Sequence, residues 1–251
     1  MTINSSGRPA PRPAFRKAEQ DGFQLRYLSD GVDYPALLAD FRQGRIEFTL
    51  LNARPCQETY LVKYGGRAYV IKRDFAFKPP VKKRRFWDLL AGTPFTRQMR
   101  ETWRAIGRGC RIVPEIYLVA EKIAGYRLCA DSYLILQFIE GRTCTVGAAD
   151  TRWLAGLAAT VAKLHTWGLA SGAPHAGNLV EADEGWKMID VSSKGPIIIT
   201  QAHDLLDMKR KLNLEVPTCS WPLKFVSALV QAKYRLHLWR RKHIKPGGLP
   251  R

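Results

Sequence analysis

Four side chains in this 251-residue sequence have the types and the order expected of a site that handles nucleotide phosphates. Lys72 closes a predicted strand, and Glu101 lies on the next predicted helix. A lysine on a strand, paired with a helix carboxylate, is one standard way to bring positive charge to nucleotide phosphates. Farther along, Asn178 and Asp190 lie at the two ends of a predicted hairpin and offer hard oxygen ligands, which Mg²⁺ prefers. As an ordered set, these residues indicate phosphoryl transfer.

Lys72, Glu101 and the nearby histidines also have simpler interpretations. Lys72 could be a solvated strand end, and Glu101 a surface acid. His175, in the loop before the hairpin, could bind a metal or act as a base, but the favoured interpretation is a loop histidine that holds backbone groups in place. His165 and His175 do not have the spacing of a zinc site.

The first half of the chain, which carries Lys72, has mainly strand-like patterns. Gly65 and Gly66 separate two of the predicted strands and predict a hairpin, because glycine accepts positive φ without a Cβ clash. One longer helical pattern, at residues 95–109, carries Glu101. Strands are predicted at residues 22–28, 46–51, 59–64, 68–72, 112–121 and 133–139, with a short helix at 34–41.

The second half is mainly helical. Asp150 is a good N-cap, and apolar residues behind it recur at helical spacing as far as Leu164. Further helices are predicted at 202–214 and 222–243, and the predicted hairpin lies between residues 179 and 189. The prediction is an α+β chain with a flexible basic arm at 1–18, a β-rich N-terminal lobe at 19–140 and a mainly helical C-terminal lobe at 141–251.

The composition limits which binding partners and which cellular compartment we expect. The 40 Lys and Arg residues against 22 Asp and Glu give a formal net charge of +18, which attracts polyanions. The five cysteines are scattered and form no CxxC pair, so we expect neither a disulfide framework nor a zinc cluster, and a reducing cytoplasm. We also expect no secretory signal, since the first residues contain no apolar core, and no run reaches the ~20 apolar residues needed to span a bilayer.

Two basic stretches predict contact with an anionic surface. Residues 78–85 read KPPVKKRR and precede Phe86 and Trp87. After Glu215 the chain has no carboxylate, and Leu236, Leu238 and Trp239 are mixed with cations, a combination that suits the headgroup level of a membrane. The alternative is that the apolar residues are core and the charges merely solvated. The cations after Glu215 are Lys224, Lys233, Arg235, Arg240, Arg241, Lys242, Lys245 and Arg251.

Two segments carry a resemblance to a known family. Residues 172–178 read GAPHAGN and residues 189–194 read IDVSSK. They resemble the Gly-Asp-Pro-His-x-Gly-Asn and Ile-Asp-x-Ser-x-Lys segments of bacterial lipopolysaccharide core heptose kinases, over residues 45–215 and most strongly over 164–215. The resemblance implies a two-lobed protein-kinase-like fold, ATP and Mg²⁺ as cofactors, and a sugar of the lipopolysaccharide core or its lipid-linked precursor as acceptor. Aminoglycoside and choline kinases share this loop type, so the loop indicates the fold more firmly than the acceptor.

The resemblance also implies roles for individual residues. Lys72 would contact the nucleotide phosphates and Glu101 would pair with it, while Asn178 and Asp190 would bind magnesium. One acid of the helix at 202–214 would support the loop; the alternative is an exposed acidic pair. Backbone groups of the hinge would contact adenine. The hinge comprises Gln137, Phe138, Ile139 and Glu140, and the two acids are Asp204 and Asp207.

Ala173 departs from the family pattern at the position of the catalytic aspartate. That aspartate accepts the proton of the acceptor hydroxyl and orients its oxygen, and a methyl group can do neither. Loss of a positioned base costs about 10²–10⁴ in rate, whereas nucleotide contacts lie elsewhere. Either an engineered replacement or a natural pseudokinase would explain Ala173; the surviving lysine, asparagine and aspartate favour the former. A second departure is residues 51–58, which contain no glycine where a glycine-rich loop would cover the phosphates.

The sequence therefore predicts an ATP-dependent kinase of a lipopolysaccharide core sugar, in a catalytically disabled form. We expect it in the cytoplasm, peripheral at the inner face of the cytoplasmic membrane. The alternative is a natural pseudokinase that acts as a nucleotide- or glycolipid-binding module. A nucleic-acid-binding protein is suggested by the charge alone, but no zinc-finger, RNA-recognition or helix-turn-helix signature supports it, so no nucleic-acid partner is expected.

Overall fold

The computed structural model describes residues 14–75, 92–124, 128–144, 150–192, 195–218 and 220–243. Several features predicted above lie outside these residues: most of the basic arm (1–13), the basic stretch at 78–85, Lys194, and the two last cations, Lys245 and Arg251. No helix in the described part of the chain is long and apolar enough to cross a membrane.

The N-terminal part is built on an antiparallel sheet of seven strands in the order β1-β2-β6-β7-β5-β4-β3. Lys72 lies near the end of β5, between β7 and β4. The strands are β1 (Phe15–Gln20), β2 (Phe23–Leu28), β3 (Phe48–Arg54), β4 (Gln57–Tyr64), β5 (Arg67–Asp74), β6 (Ile116–Ala124) and β7 (Leu128–Gln137).

Successive side chains of a strand point to opposite faces, so both faces of this sheet carry apolar side chains. A different helix covers each face. Helix α1 (Tyr34–Arg42), capped by the Asp33 carboxylate, packs on the face that carries Ile71 and Ile135. Helix α2 (Pro94–Ile106) packs on the other face, where its Met99 belongs to the same apolar cluster as Val70 and Leu134. Lys72 is two residues from Val70 and opposite Leu134 in the register, so it lies on the α2 face.

The C-terminal part surrounds a second core, in which Leu157, Val161, Leu179, Met188 and Met208 are buried. Its first helix begins where Asp150 accepts a hydrogen bond from the Trp153 backbone N–H. The elements are β8 (Arg142–Thr143), α3 (Thr151–Thr166), a 3₁₀ turn (Ala176–Asn178), β9 (Leu179–Ala182), β10 (Gly185–Met188), α4 (Ile197–Leu212) and α5 (Trp221–His243), with β10, β9 and β8 forming a small antiparallel sheet in that order.

The predicted fold class, α+β with a β-rich N-terminal lobe and a mainly helical C-terminal lobe, is confirmed. The hairpin at Gly65 and Gly66 joins β4 to β5 as predicted. Strand β1 was not predicted, and it includes the last four residues of the expected arm, 15–18; its side chains are almost all exposed, so it has no apolar alternation to detect. The lobe boundaries at residues 140 and 141 stay predictions.

Strand β7 begins five residues before the predicted start at residue 133 and ends two residues before the predicted end at 139. Its early residues include Asp131 and Ser132, which are unusual in a strand. Two contacts with β5 compensate: the Arg73 guanidinium donates two hydrogen bonds to Asp131, at 3.2 and 3.1 Å, and Ser132 donates to the Asp74 carbonyl. Such cross-strand pairs cannot be inferred until the strand order is known.

Candidate functional site

Lys72 joins the N-terminal sheet to the C-terminal part of the chain. Its Nζ donates to Asp190 Oδ1 at 3.0 Å and to the Ile189 carbonyl oxygen at 3.4 Å. Only 23% of the Lys72 side chain is exposed, whereas 50% of the Asp190 side chain is. The ammonium group is therefore fixed at the junction, and the carboxylate still faces solvent, where a ligand can reach it.

The β9–β10 hairpin places Asn178 and Asp190 at the same end. Leu179 pairs with Met188, and the Ile189 N–H donates to the Asn178 carbonyl at 2.9 Å, which closes the open end of the hairpin. The Asn178 side-chain amide donates to the Ala173 carbonyl at 3.2 Å. The hairpin thus brings Asp190 to Lys72 and ties Asn178 to the loop that contains Ala173.

Asp204 on α4 holds the loop at residues 171–178 through hydrogen bonds to its backbone. This carboxylate is fully buried and accepts hydrogen bonds from the Ser171 N–H at 2.8 Å and the Gly172 N–H at 2.7 Å. His165 Nε2, at the end of α3, lies 3.2 Å from the same carboxylate. Asp207 instead lies at the surface and accepts from Lys211. Of the two acids considered from the sequence, Asp204 is the one that supports the loop.

A second anchor fixes the segment that leads into the loop. The Gln201 amide, also on α4, donates to the carbonyls of His165 and Leu169 at 3.1 and 2.9 Å. The Ser192 N–H donates to the Ala170 carbonyl at 2.9 Å. The chain's own hydrogen bonds therefore define the backbone path of the loop.

Gly172 is required by the close approach of the loop to the segment after β10. Its φ is +75°, and a Cβ placed there would be 2.5 Å from the Ser192 Cβ. Ala173 follows directly and is exposed. Two hydrogen bonds hold the backbone around it, one from the Gly172 N–H to Asp204 and one from the Asn178 side chain to the Ala173 carbonyl. The position that the resemblance assigns to the catalytic aspartate is thus open to an acceptor.

His175 lies in the same loop and its carbonyl accepts from the Asn178 N–H at 3.0 Å. Loss of hydration lowers the pKa of its imidazole, the Arg54 and Lys211 cations lower it further, and the Asp190 carboxylate opposes them. These surroundings favour the neutral form of the ring. Arg54 is the last residue of β3, so the β3–β4 turn, which contains no glycine, extends a cation toward the loop.

Glu101 and the hinge lie where they could reach the same region. Glu101 is half-buried on α2, which covers the sheet face that carries Lys72. The Gln137 N–H already donates to the Glu115 carbonyl at 2.9 Å, so a backbone donor for adenine would have to come from Phe138, Ile139 or Glu140. Tyr69 pairs with Gln137, which places the hinge three residues, about 10 Å, from Lys72 along β5. The pairing of Glu101 with Lys72 and the adenine contacts stay predictions.

A bound metal would depend on a nucleotide for most of its ligands. Within the described ranges, no three His, Cys, Asp or Glu side chains are grouped so as to hold an ion. Mg²⁺ commonly takes one or two protein oxygens and completes its shell with phosphates and water. The half-exposed Asp190 carboxylate, with the amide oxygen of Asn178 at the same end of the hairpin, fits this type of site. Magnesium binding by these residues stays a prediction.

Sequence reasoning missed His165 and Gln201 and left Asp204 undecided. The spacing of the last two places them on one face of α4, and the burial of that face in the structure distinguishes Asp204 from Asp207. Gln201, Asp204 and Met208 fall on one face of α4, and all three are buried. Polar residues on an otherwise buried helix face require internal partners, and the loop backbone supplies those partners.

Comparison with protein families gives a match over most of the chain. Residues 27–243 match the family described as "Lipopolysaccharide core biosynthesis protein (WaaY)". The chain is 28% identical over 142 residues to the lipopolysaccharide core heptose(II) kinase WaaY of Escherichia coli strain K12, which covers 55% of this chain and 61% of that protein. It is 29% identical over 154 residues to an Escherichia coli protein of the same name, covering 61% of this chain and 65% of the relative. The matches thus span less than two thirds of these relatives.

Among solved structures, the chain is similar to the one titled "WaaP in complex with acyl carrier protein". The likeness covers 85% of this chain and 92% of that chain, at 12% sequence identity and a TM-score of 0.45. These values are too low for the likeness to carry weight on function.

Proposed function

This chain belongs to the lipopolysaccharide core biosynthesis protein (WaaY) family, and we propose that it is an ATP-dependent kinase of a lipopolysaccharide core sugar, disabled at Ala173. The acceptor we propose is a heptose, because the curated relatives are named heptose(II) kinases. A cytoplasmic location at the inner face of the cytoplasmic membrane, against anionic lipid, is part of the same proposal.

The observation that carries the proposal is the contact between Lys72 and Asp190. An ammonium from the N-terminal sheet and a carboxylate from the C-terminal part lie 3.0 Å apart, although 118 residues separate them in the chain. Two opposite charges of this kind suit the two needs of a nucleotide: Lys72 would neutralise phosphate oxygens, and Asp190 with Asn178 would hold a magnesium ion. Glu101 would restrain Lys72, and residues 137–140 would contact adenine.

ATP and Mg²⁺ are the proposed cofactors, and the chain's own residues would position them. The bound magnesium would neutralise charge on the transferred phosphoryl group. Lys72 would exchange its hydrogen bond with Asp190 for phosphate oxygens, which frees Asp190 Oδ1. The amide of Asn178, held by the Ala173 carbonyl, would keep its oxygen toward the same point.

Ala173 removes the group that would accept the proton of the sugar hydroxyl. The loop around it nevertheless keeps its supports, from Asp204 below and Asn178 at its far end. An intact loop without its base favours an engineered replacement in a working enzyme. The alternative, a natural pseudokinase that binds nucleotide or glycolipid, is favoured only by the presence of alanine itself.

The test is phosphate transfer by Ala173→Asp from γ-³²P-labelled ATP to purified, dephosphorylated core oligosaccharide. Since residue 173 is exposed, the new carboxylate needs no room in the core. We expect a gain of about 10²–10⁴ in rate over the parent chain, the usual contribution of a positioned base. Ala173→Asn, of equal size but with no basic oxygen anion, is the control and should give no comparable gain.

Nucleotide binding, measured in parallel, separates the possible failures. Binding without transfer by Ala173→Asp would support the pseudokinase alternative. If neither the parent nor the variant binds Mg²⁺-ATP, the assignment of the site is wrong.

A further inference from the structure

Helix α5 packs one of its faces against the described part of the chain. On the packed face Leu223 is 2% exposed and Ser227 7% exposed. Tyr234, farther along the same face, lies under the Arg210 guanidinium of α4 at 4.0 Å. The helix is therefore docked along α4, the helix that carries Asp204.

The opposite face carries large apolar side chains that are exposed to solvent. A helix turns by about 100° per residue, so an ~80° sector centred opposite the packed face contains five of them: Trp221, Phe225, Leu229, Leu236 and Trp239. They extend from residue 221 to residue 239, about 27 Å along the helix. The rings of Trp221 and Phe225 are stacked with centroids 5.8 Å apart. This apolar stripe consists of Trp221, Phe225, Leu229, Leu236 and Trp239, which are 73, 54, 54, 48 and 56% exposed.

Cations border the apolar stripe on both sides. Lys224 and Arg235 lie along one border of the sector, and Lys233 and Arg240 along the other, by the same helical geometry. No Asp or Glu occurs in the sequence after Glu215. An apolar sector between two rows of cations is the pattern of a helix that lies in the plane of an anionic membrane.

We propose that the apolar stripe of α5 docks in the plane of an anionic phospholipid bilayer. The aromatic and leucine side chains enter the boundary between headgroups and acyl chains. The four bordering cations contact lipid phosphates. Because α5 packs on α4, docking holds the element that supports the Ala173 loop at the membrane surface, although lipid binding itself does not depend on phosphate transfer.

Charge decides between a membrane and a second copy of this chain. Two copies joined through the apolar stripe would bring eight cations together without a carboxylate on either helix face, because no acidic residue follows Glu215. Like charges placed along one contact repel each other and disfavour such a dimer. An anionic bilayer offers an apolar layer and the opposite charge.

The experiment is co-sedimentation of the full chain with vesicles of phosphatidylglycerol and phosphatidylethanolamine. Phosphatidylcholine vesicles serve as the uncharged comparison. The parent should bind the anionic vesicles, and 1 M NaCl should weaken the binding, since that salt reduces the screening length to about 3 Å. Free core oligosaccharide should not compete, because the occupant is phospholipid.

Two sets of variants identify the surface. Phe225→Ser with Leu229→Ser and Leu236→Ser should lower vesicle partitioning at least tenfold. The matched control is Leu50→Ser with Leu51→Ser and Ile199→Ser, three residues that are 52, 51 and 42% exposed but lie elsewhere, and it should bind like the parent.

Lys233→Glu with Arg235→Glu should lower partitioning at least about 25-fold at low salt, since each lost cation near an anionic surface contributes roughly fivefold and each new carboxylate is repelled. Lys17→Glu with Lys63→Glu changes the net charge by the same amount on exposed strand positions and should have little effect.

The proposal fails if the parent does not sediment with anionic vesicles at low salt, or if each variant set and its control lose binding equally. It also fails if sedimentation velocity shows a dimer that the Phe225, Leu229 and Leu236 substitutions abolish while vesicle binding persists. Circular dichroism of every variant shows whether a lost signal reflects unfolding.

Discussion

Asp204 and Asp207 show how much the surroundings of a residue determine its role. Both are acids on α4, three residues apart, but Asp204 is completely buried and accepts two backbone N–H groups of the loop. Asp207 pairs with Lys211 at the surface. A buried carboxylate that satisfies backbone donors leaves those donors without partners when it is removed, which an exposed ion pair does not.

We predict that Asp204→Ala lowers the free energy of unfolding by about 3–5 kcal/mol, because the buried Ser171 N–H and the partly buried Gly172 N–H would lose their acceptor. Asp207→Ala, the control on the same helix, should cost less than about 1 kcal/mol. Urea denaturation of both variants is the measurement. Equal losses would show that Asp204 does not support the loop.

For single residues, the sequence predicted the types and the order of the site residues better than it predicted which residues contact one another. The order of Lys72, Asn178 and Asp190 was sufficient to predict a common site, and the structure brings Lys72 into contact with Asp190. The role of Asp204 could not be chosen from spacing alone, since spacing gives a shared helix face but not the burial of that face.

At the scale of elements, α2 is attached to the sheet at its first turn. The hydroxyls of Thr93 and Thr96 donate to the buried carboxylate of Glu121 on β6. The Trp103 indole N–H donates to the Ile116 carbonyl at 2.7 Å one turn before the helix ends. These two attachments fix the direction of α2 and therefore the place of Glu101 relative to Lys72.

Burial raises the pKa of the Glu121 carboxyl, and the hydroxyls of Thr93 and Thr96 oppose the rise without cancelling it. A carboxyl whose pKa is higher in the folded state contributes stability that is complete below its unfolded pKa and is lost as the pH rises through its folded pKa. The net contribution of the Glu121 carboxyl to stability is therefore largest at acidic pH.

We predict that Glu121→Gln raises the free energy of unfolding at pH 7, because it removes the cost of burying a negative charge. The gain should shrink to nothing as the pH falls below about 4.3, the ordinary pKa of glutamate. Guanidinium denaturation between pH 4 and pH 8 measures it. Glu47→Gln, at an exposed position, should change the stability by less than about 0.5 kcal/mol. A gain that does not depend on pH would contradict this account of Glu121.

Helices and strands were predictable from the sequence where apolar residues recur at a clear helical or strand spacing. The prediction failed where polar pairs between strands replace that spacing. The helices at 34–42, 151–166 and 221–243 and the β4–β5 hairpin follow from period and caps. The exposed edge strand β1 and the start of β7 do not, because their stability comes from neighbouring strands. Helix α4 begins at Ile197, five residues before the predicted start, directly after Pro196.

At the scale of the whole molecule, Lys72 and Asp190 connect a sheet built mostly from the first half of the chain to a hairpin in the second. This ion pair is partly exposed, so its own contribution to stability is small, about 1 kcal/mol or less. Its importance is positional, because it places opposite charges beside the Ala173 loop. The sequence predicted the two-part α+β organisation, but the sheet order, with β7 between β6 and β5, is a long-range pairing that local patterns do not contain.

The most direct test of the nucleotide site is calorimetric titration with Mg²⁺ and a non-hydrolysable ATP analogue. The parent should bind in a magnesium-dependent manner. Lys72→Met should weaken the affinity at least about tenfold while the chain stays folded, because a hydrogen bond to a charged group contributes roughly 1.5–3 kcal/mol. Lys63→Met, an exposed lysine on the adjacent strand β4, should bind like the parent. Equal affinities for all three proteins, or no binding by the parent, would contradict the assignment of Lys72, Asn178 and Asp190 to one nucleotide site.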